Sequence, residues 1–242
     1  MITKSVVKDI QSLAGKKYRD QAGLFLAEGP KLVEELLRDC SHSIKAIYAL
    51  ESWIQQNKII NSSIQVTLVT PAELERLSQL TTPHEVLAVV SKFPISPLQI
   101  GKGLTLVCCG IQDPGNFGTI LRTADWFGVR QLVCSPDTVD VYNPKVVQAT
   151  MSSIARLAVH YMDLDPWLNE QEVPIYAAIL NGQSVYEINR SQSGILLIGN
   201  EAKGVPASLL TKKVTGITIP KIGEAESLNA AVATGILLSW LS

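Results

Sequence analysis

The sequence predicts an α/β protein in two parts, a small mixed domain over residues 1–95 and, after a linker at 96–103, a larger domain over 104–242 with a mostly parallel sheet. Three observations carry this reading. At 91–103 the stretch SKFPISPLQIGKG sets two prolines, two serines and two glycines between apolar segments, which is the punctuation of a boundary. Beyond it, short apolar runs alternate with helix-like stretches, as expected of strands joined by crossover helices. Finally, 242 residues at 46% hydrophobic composition can bury one large core or two modest ones.

In the first part, KLVEELLRD (31–39) has helical periodicity, while IKAIYAL (44–50) and IQVTLVT (64–70) read as strands. PAELERLSQL (71–80) starts a helix with proline in its first turn, and EVLAVVSKF (85–93) closes the domain as a strand. In the second part LTLVCC (104–109) leads into GTILRTADWFG, QLVCS (131–135) into NPKVVQATMSSIA, and LAVHY (157–161) into DLDPWLNEQ. IYAAIL (175–180) follows, then ILLIGN (195–200) with PASLLTKKV, and GITIP (216–220) with SLNAAVATGILLSWL. The last helix is apolar almost all round, so burial on both sides is expected, one side against the sheet and the other against a second subunit.

A net charge of −1 gives no global attraction to nucleic acid or membrane, so such a partner has to be met by a local patch. One is present at the start. Lys4, Lys8, Lys16, Lys17 and Arg19 stand against Asp9 alone over residues 4–19, with Tyr18 among them. That suits a structured RNA backbone with one unstacked base nearby; a solvated amphipathic helix is the alternative. Cys40, Cys108, Cys109 and Cys134 lack CxxC spacing and point to buried, reduced thiols. His42, His84 and His160 are scattered without ligand spacing, so no metal is expected. No stretch approaches the roughly 18 apolar residues of a membrane span and the start has no apolar leader region, which together indicate a cytoplasmic protein with no membrane partner.

Ligand loops are expected where strands end, at 110–118, 199–204 and 220–227. The first lacks a GxGxxG or a phosphate-cradling lysine, which disfavours dinucleotide and nucleoside-triphosphate sites. It offers Asn116 and, further along the helix, Arg122, an amide and a permanent cation that suit a sugar-phosphate ligand. Alternatively Asn116 completes a turn and Arg122 pairs with Asp125 or Asp113. The second presents Glu201 at the open end of a buried strand, or else uses it to cap a following helix. The third places Ser227 and Asn229 at a helix head, where Ser227 is the plain N-cap candidate.

Taken together, DPGNFGTILRTADWFG, LLIGNEAKGV and IPKIGEAESLNAAVATGIL resemble the three ordered motifs of the SpoU (TrmH) family of RNA ribose 2'-O-methyltransferases, in the SPOUT superfamily. YNPKVVQATMSSIARL (142–157) resembles the helix between the motifs, with Ser152 where glycine is usual and Gln148 where a basic residue is frequent. Cys109 stands where an acidic residue is common. KKYRDQAGLFLAEGPKLVEELL (16–37) is similar to the L30e-like substrate-binding domain that precedes the catalytic domain in ribosomal RNA methyltransferases of this family. The resemblance implies a C-terminal trefoil knot, S-adenosyl-L-methionine as cofactor and a homodimer through the knot region. Ribosomal RNA is the first-choice substrate and transfer RNA the second; a non-catalytic RNA-binding homologue is the third reading. It further implies that Asn116, Arg122, Glu201, Ser227 and Asn229 form the catalytic surroundings. Gly199, Ile219 and Leu228, with the neighbouring Ile198 and Pro220, would hold the cofactor, and Lys8, Lys16, Lys17 and Arg19 would contact RNA.

Overall fold

The computed structural model describes residues 2–57, 64–190 and 193–242. In chain order the first elements are helices α1 (Lys4–Ser12) and α2 (Lys16–Ala22), strand β1 (Leu24–Glu28), α3 (Pro30–Cys40), β2 (Ile44–Ala49), α4 (Glu51–Gln56), β3 (Gln65–Leu68), α5 (Pro71–Leu77) and β4 (Val86–Ser91). There follow β5 (Leu104–Cys109), α6 (Pro114–Trp126), β6 (Gln131–Cys134), α7 (Pro144–Thr150), β7 (Ala158–Tyr161) and α8 (Leu164–Asn169). The chain ends with β8 (Ile175–Ser184), β9 (Gly194–Gly199), β10 (Val214–Thr218) and α9 (Ala230–Leu241).

Two compact units result, one of residues 1–94 with 142–155, the other of residues 95–141 with 156–242. The first holds a four-stranded sheet in the order β1-β4-β2-β3, antiparallel except for the β2–β3 pair. On one face Val7 and Ile10 of α1 and Leu74 and Leu77 of α5 pack against Leu26, Leu87 and Val89. α5 begins where the sequence places it because Thr70 and Glu73 form a reciprocal capping box behind Pro71. Strand β1 is not among the strands read from the sequence. It is one of the most buried segments of the unit, with Phe25 and Ala27 at 0% exposure.

Two sequence expectations are corrected here. The predicted second domain, 104–242, loses residues 142–155 to the first unit. The reason is packing: α7 lies along β1, and the Tyr142 ring sits 4.9 Å from that of Phe25, with its hydroxyl accepting from the Phe93 N–H at 2.9 Å. Ser152, fully buried with φ +69°, donates its hydroxyl to Glu35 of α3. Likewise, 96–103 is no loose linker. Leu98 and Ile100 pack on the core of the second unit, and Gln99 exchanges two hydrogen bonds with Gln131.

The second unit is a six-stranded parallel sheet in the order β10-β8-β9-β5-β6-β7. β5 is buried at all six positions, as a strand covered on both faces must be. α8 closes one face over Val107, Val133, Ile195 and Leu197. α9 packs on α6 and reaches β9. The helical stretch expected at 206–214 is only a 3-10 turn at Ala207–Leu209. No helix among the described residues is long and apolar enough to cross a membrane.

Candidate active site

Strand pairing brings the ligand loops together. β5 and β9 lie side by side with Cys109 opposite Gly199, so the loops that follow them leave the sheet as neighbours. Strand order also reverses here, with β6 and β7 beyond β5 and β8 and β10 beyond β9. Such a switch point opens a crevice at the carboxyl ends of the strands. Asn200 ties its two sides, donating from Nδ2 to the Gly110 carbonyl at 2.7 Å while its Oδ1 accepts from the N–H groups of Ala202 and Lys203. The sequence reading assigned Asn200 no role; an amide directly after a strand-ending glycine was the available signal.

At the head of α6 the Asp113 carboxylate accepts from the Asn116 N–H at 2.7 Å, which sets Asn116 in the first turn. From there the Asn116 Nδ2 donates to Glu201 Oε1 at 2.7 Å, across 85 positions of sequence. Asn229 completes the strip. Its Oδ1 caps α9 by accepting from Ala231 and Val232, and its Nδ2 donates to Asn116 Oδ1 at 2.8 Å. Three loops thus meet in one directed chain, Asn229 to Asn116 to Glu201. Both amides have their oxygen and one N–H engaged, and Glu201 Oε2 makes no bond among the described residues.

These contacts decide between the capping and pairing alternatives that the sequence left open. Ser227 is exposed and does not cap α9, because Asn229 does. Glu201 caps no helix, since the segment behind it is a tight turn closed by Asn200 and Gly204. Arg122 pairs with neither aspartate: Asp125 is held by Arg130 at 3.2 Å and Arg156 at 2.8 Å, and Asp113 serves its own helix. The Arg122 guanidinium is exposed and has no partner among the described residues. Six residues along the helix turn it roughly 120° away from Asn116, and no hydrogen bond joins it to the strip.

The cofactor candidates come from the second and third loops. Ile198 is buried, Gly199, Ile219 and Pro220 sit where β9 and β10 end, and Leu228 is 48% exposed. Between Lys221 and Leu228 no hydrogen bond is made to any described residue, and Ile222 is fully exposed. Open backbone groups beside open apolar side chains fit a nucleoside, whose base offers an edge to the one and a face to the other. Cys109, below the first loop, is kept neutral: burial, the neighbouring Cys108 and Asp137 all push its thiol up.

Among the proposed RNA contacts, Lys8, Lys16 and Lys17 are exposed on α1 and α2. Arg19 is not. It is 2% exposed, and its Nη1 donates to the carbonyls of Leu13 and Ala14 at 2.9 and 2.7 Å. Its charge satisfies the backbone where α1 turns into α2, and the RNA-contact expectation for Arg19 is withdrawn.

The parallel sheet with its switch-point loops is that of an α/β enzyme, and its matches in family and fold put the chain in the SPOUT methyltransferase class. The chain belongs to the SpoU rRNA Methylase family, whose model matches residues 103–239; the model of an MRM3-like substrate binding domain matches residues 4–88. It is 34% identical to the 23S rRNA (guanosine(2553)-2'-O)-methyltransferase of Bacillus subtilis, over 97% of this chain and 95% of that protein. Among solved structures it resembles the AdoMet-bound rRNA methyltransferase of Sinorhizobium meliloti, with TM-score 0.84 and 30% identity over 100% of this chain and 95% of that one. The SpoU methyltransferase AviRb of Streptomyces viridochromogenes, in complex with AdoMet, gives TM-score 0.82 and 25% identity over 99% and 97%.

Proposed function

We propose that the protein methylates a ribose 2'-hydroxyl of ribosomal RNA with S-adenosylmethionine as donor. The observation that carries this is the hydrogen-bonded strip from Asn229 through Asn116 to Glu201, supported by full-length relatives named as rRNA 2'-O-methyltransferases. The test is labelled methyl transfer to unmodified ribosomal and transfer RNA in parallel. Label is expected in the ribosomal pool; label only in transfer RNA would overturn the choice of substrate, and none with either RNA or ribosomal particles would favour a binding protein.

When bound, the cofactor supplies an electrophilic methyl carbon. The chain has to align a hydroxyl behind that carbon and take charge of its proton. Asn116 and Asn229, engaged on both sides of their amides, act as positioning groups. Glu201 Oε2 is the open acceptor of the strip and receives the hydroxyl hydrogen bond. Arg122 cannot accept a proton, because a guanidinium stays charged, so it stabilises the developing oxyanion or clamps the adjoining phosphate. Ser227, exposed two residues before Asn229, is assigned a contact with the acceptor nucleotide.

Because Arg122 makes no bond to its own strip, we infer that a second copy supplies it. Exposed Trp126 on α6 and Val232 on α9, at 83% and 51%, give apolar surface for a homodimer beside the last helix. The path from β9 to β10 and back to α9 is read as the threaded trefoil knot, with Gly199, Ile219 and Leu228 lining the cofactor cleft inside it. The protein works in the cytoplasm without a metal.

The α1–α2 lysines track the RNA backbone. Lys8→Ala, Lys16→Ala and Lys17→Ala are each expected to weaken RNA binding about equally for all sequences, and to lower the salt slope by about one for each phosphate that is no longer neutralised. Arg19→Ala should behave otherwise, lowering the melting temperature through unsatisfied carbonyls rather than changing the salt slope. Filter binding across a salt series, with thermal melts, separates the two, and an unchanged salt slope in all three lysine variants would remove RNA from this face.

A further inference from the structure

We propose that Ser135 and Asn200 are positioning residues of the methyl transfer, clamping the Gly110 peptide from both sides so that Asn116 meets Glu201; this rests on the RNA methyltransferase reading above. The strand ladder stops one residue short of that peptide. Cys109 and Gly199 are the last pair of β5 with β9, and Cys108 and Cys134 the last pair of β5 with β6. Gly110 then turns out of the sheet with φ +66°, beyond the last ladder pair on either side. Two side chains take the place of ladder bonds. The Gly110 N–H donates to Ser135 Oγ at 2.7 Å, and the Gly110 carbonyl accepts from Asn200 Nδ2 at 2.7 Å. One residue on, the Ile111 carbonyl accepts from the Val139 N–H at 2.9 Å, and the Ile111 side chain is fully buried.

Each half of the clamp is itself held. The Ser135 N–H donates to the Cys108 carbonyl at 3.0 Å, which carries the β6 pairing one step further. Its hydroxyl donates to Asp137 Oδ1 at 2.5 Å, leaving the oxygen lone pairs for the Gly110 N–H. The Asn200 backbone is committed to Gly204 in both directions, and its Oδ1 accepts from the N–H groups of Ala202 and Lys203, so Nδ2 is the group left to reach across the crevice. Ser135 belongs to none of the three loops that the sequence singles out, for it follows the apolar run of β6.

The consequence for the chemistry follows from adjacency. Asn200 precedes Glu201 directly, and Gly110 and Asn116 are the base and the top of one loop. The two loops are therefore joined twice, Asn200 to Gly110 and Asn116 to Glu201, both at 2.7 Å. Slack at the lower bond reaches the upper one. An N–H···O bond of this length stretched by about 1 Å is no longer a hydrogen bond. A misplacement of about that size, remote from the reacting atoms, can lower a rate about a hundredfold. Ser135 thus acts on the strip through Gly110 without touching the substrate.

The test uses the full protein and three variants. Ser135→Ala removes the acceptor of the Gly110 N–H, and Ser135→Thr restores a hydroxyl. Asn200→Asp keeps the oxygen that orders the Ala202 and Lys203 turn while removing the donor to Gly110. Thermal melts and S-adenosylmethionine titration check that each variant folds. For Ser135→Ala and Asn200→Asp, kcat for methyl transfer to ribosomal RNA is expected to fall about tenfold to a hundredfold with KM for RNA and cofactor affinity unchanged, and Ser135→Thr to recover most of the loss. The Asn116 side-chain amide, followed by NMR in isotope-labelled protein and assigned by its disappearance in Asn116→Ala, reads the bond to Glu201 without turnover. Its bonded proton is expected to move upfield and to exchange faster with solvent in the same two variants. Full kcat in both, a fall in kcat with an unaltered Asn116 amide, or an altered amide with full kcat would overturn the proposal. Should the parent protein methylate neither RNA nor ribosomal particles, the amide still decides the clamp: a change in both variants upholds it while the enzymatic reading falls, and no change overturns it.

Discussion

Arg122→Ala is expected to cut the rate of methyl transfer by about a hundredfold to a thousandfold while leaving S-adenosylmethionine affinity and melting temperature unchanged. The size follows from removing a preorganised donor aimed at charge that develops on the attacking oxygen. The lack of any stability effect follows from the structure, in which the guanidinium is exposed and bonded to no described residue. Arg122→Lys keeps the charge but loses the rigid fork, so it should recover only part of the rate. A lysine variant with near-normal turnover would show that a point charge suffices. Mixing subunits tests the dimer reading in the same experiment. If a second copy supplies Arg122, then Arg122→Ala and Glu201→Ala proteins, each inactive alone, regain up to about a quarter of the parent activity after co-refolding, as expected when random pairing makes half the dimers mixed with one intact site in each. Failure of the mixed sample to recover would place Arg122 and the strip in one chain.

The strand-and-loop layout was legible because its signals are local. An apolar run that stops at Gly110 or Gly199 marks a buried strand ending at a crevice, and Asn116 and Glu201 lie soon after those two ends, whereas Asn229 stands at the head of the last helix. What their side chains do to one another was not legible, since the contacts span 85 and 113 positions. Residue type misled at Arg19: a cation in a basic run reads as surface, and only the geometry of the α1–α2 turn shows two carbonyls in need of its donors. At 142–155 the helical pattern was correct in kind but silent about destination, because periodicity gives the apolar face of a helix and not the surface that face covers. Ser227 and Asn229 are both good caps, and the helix begins one residue after the second. β8 carries a different lesson. The apolar signal IYAAIL ends at Leu180, yet the strand runs to Ser184 because Gln183 and Ser184 resume pairing with β10 after an excursion opposite Gly216.

Gly199→Ala is the change expected to damage the protein most. Gly199 does not have a left-handed backbone; its glycine is required by crowding. A Cβ at this position would lie 2.1 Å from the Gly204 carbonyl carbon, 2.2 Å from the Val205 nitrogen and 2.5 Å from the Gly204 oxygen. Contacts between heavy atoms are comfortable at about 3.5–4.0 Å, so the turn would have to move by more than about 1 Å. It cannot do so alone, because Asn200 and Gly204 exchange two backbone bonds, at 3.2 and 2.8 Å, and the Asn200 side chain anchors the turn to Gly110. Displacing it pulls Glu201 off Asn116. Overpacking ordinarily costs about 1–3 kcal/mol, and an obstacle made of bonded backbone puts this case at about 3 kcal/mol or more. Cofactor affinity and methyl transfer should fall with it. Gly223→Ala is the matching control in the third loop, since a Cβ there meets nothing within 4 Å. Thermal melts and cofactor titration of both variants decide the matter. A Gly199→Ala protein as stable as the parent would mean that the second loop does not close on the end of β9, and the strip that depends on that closure would have to be abandoned.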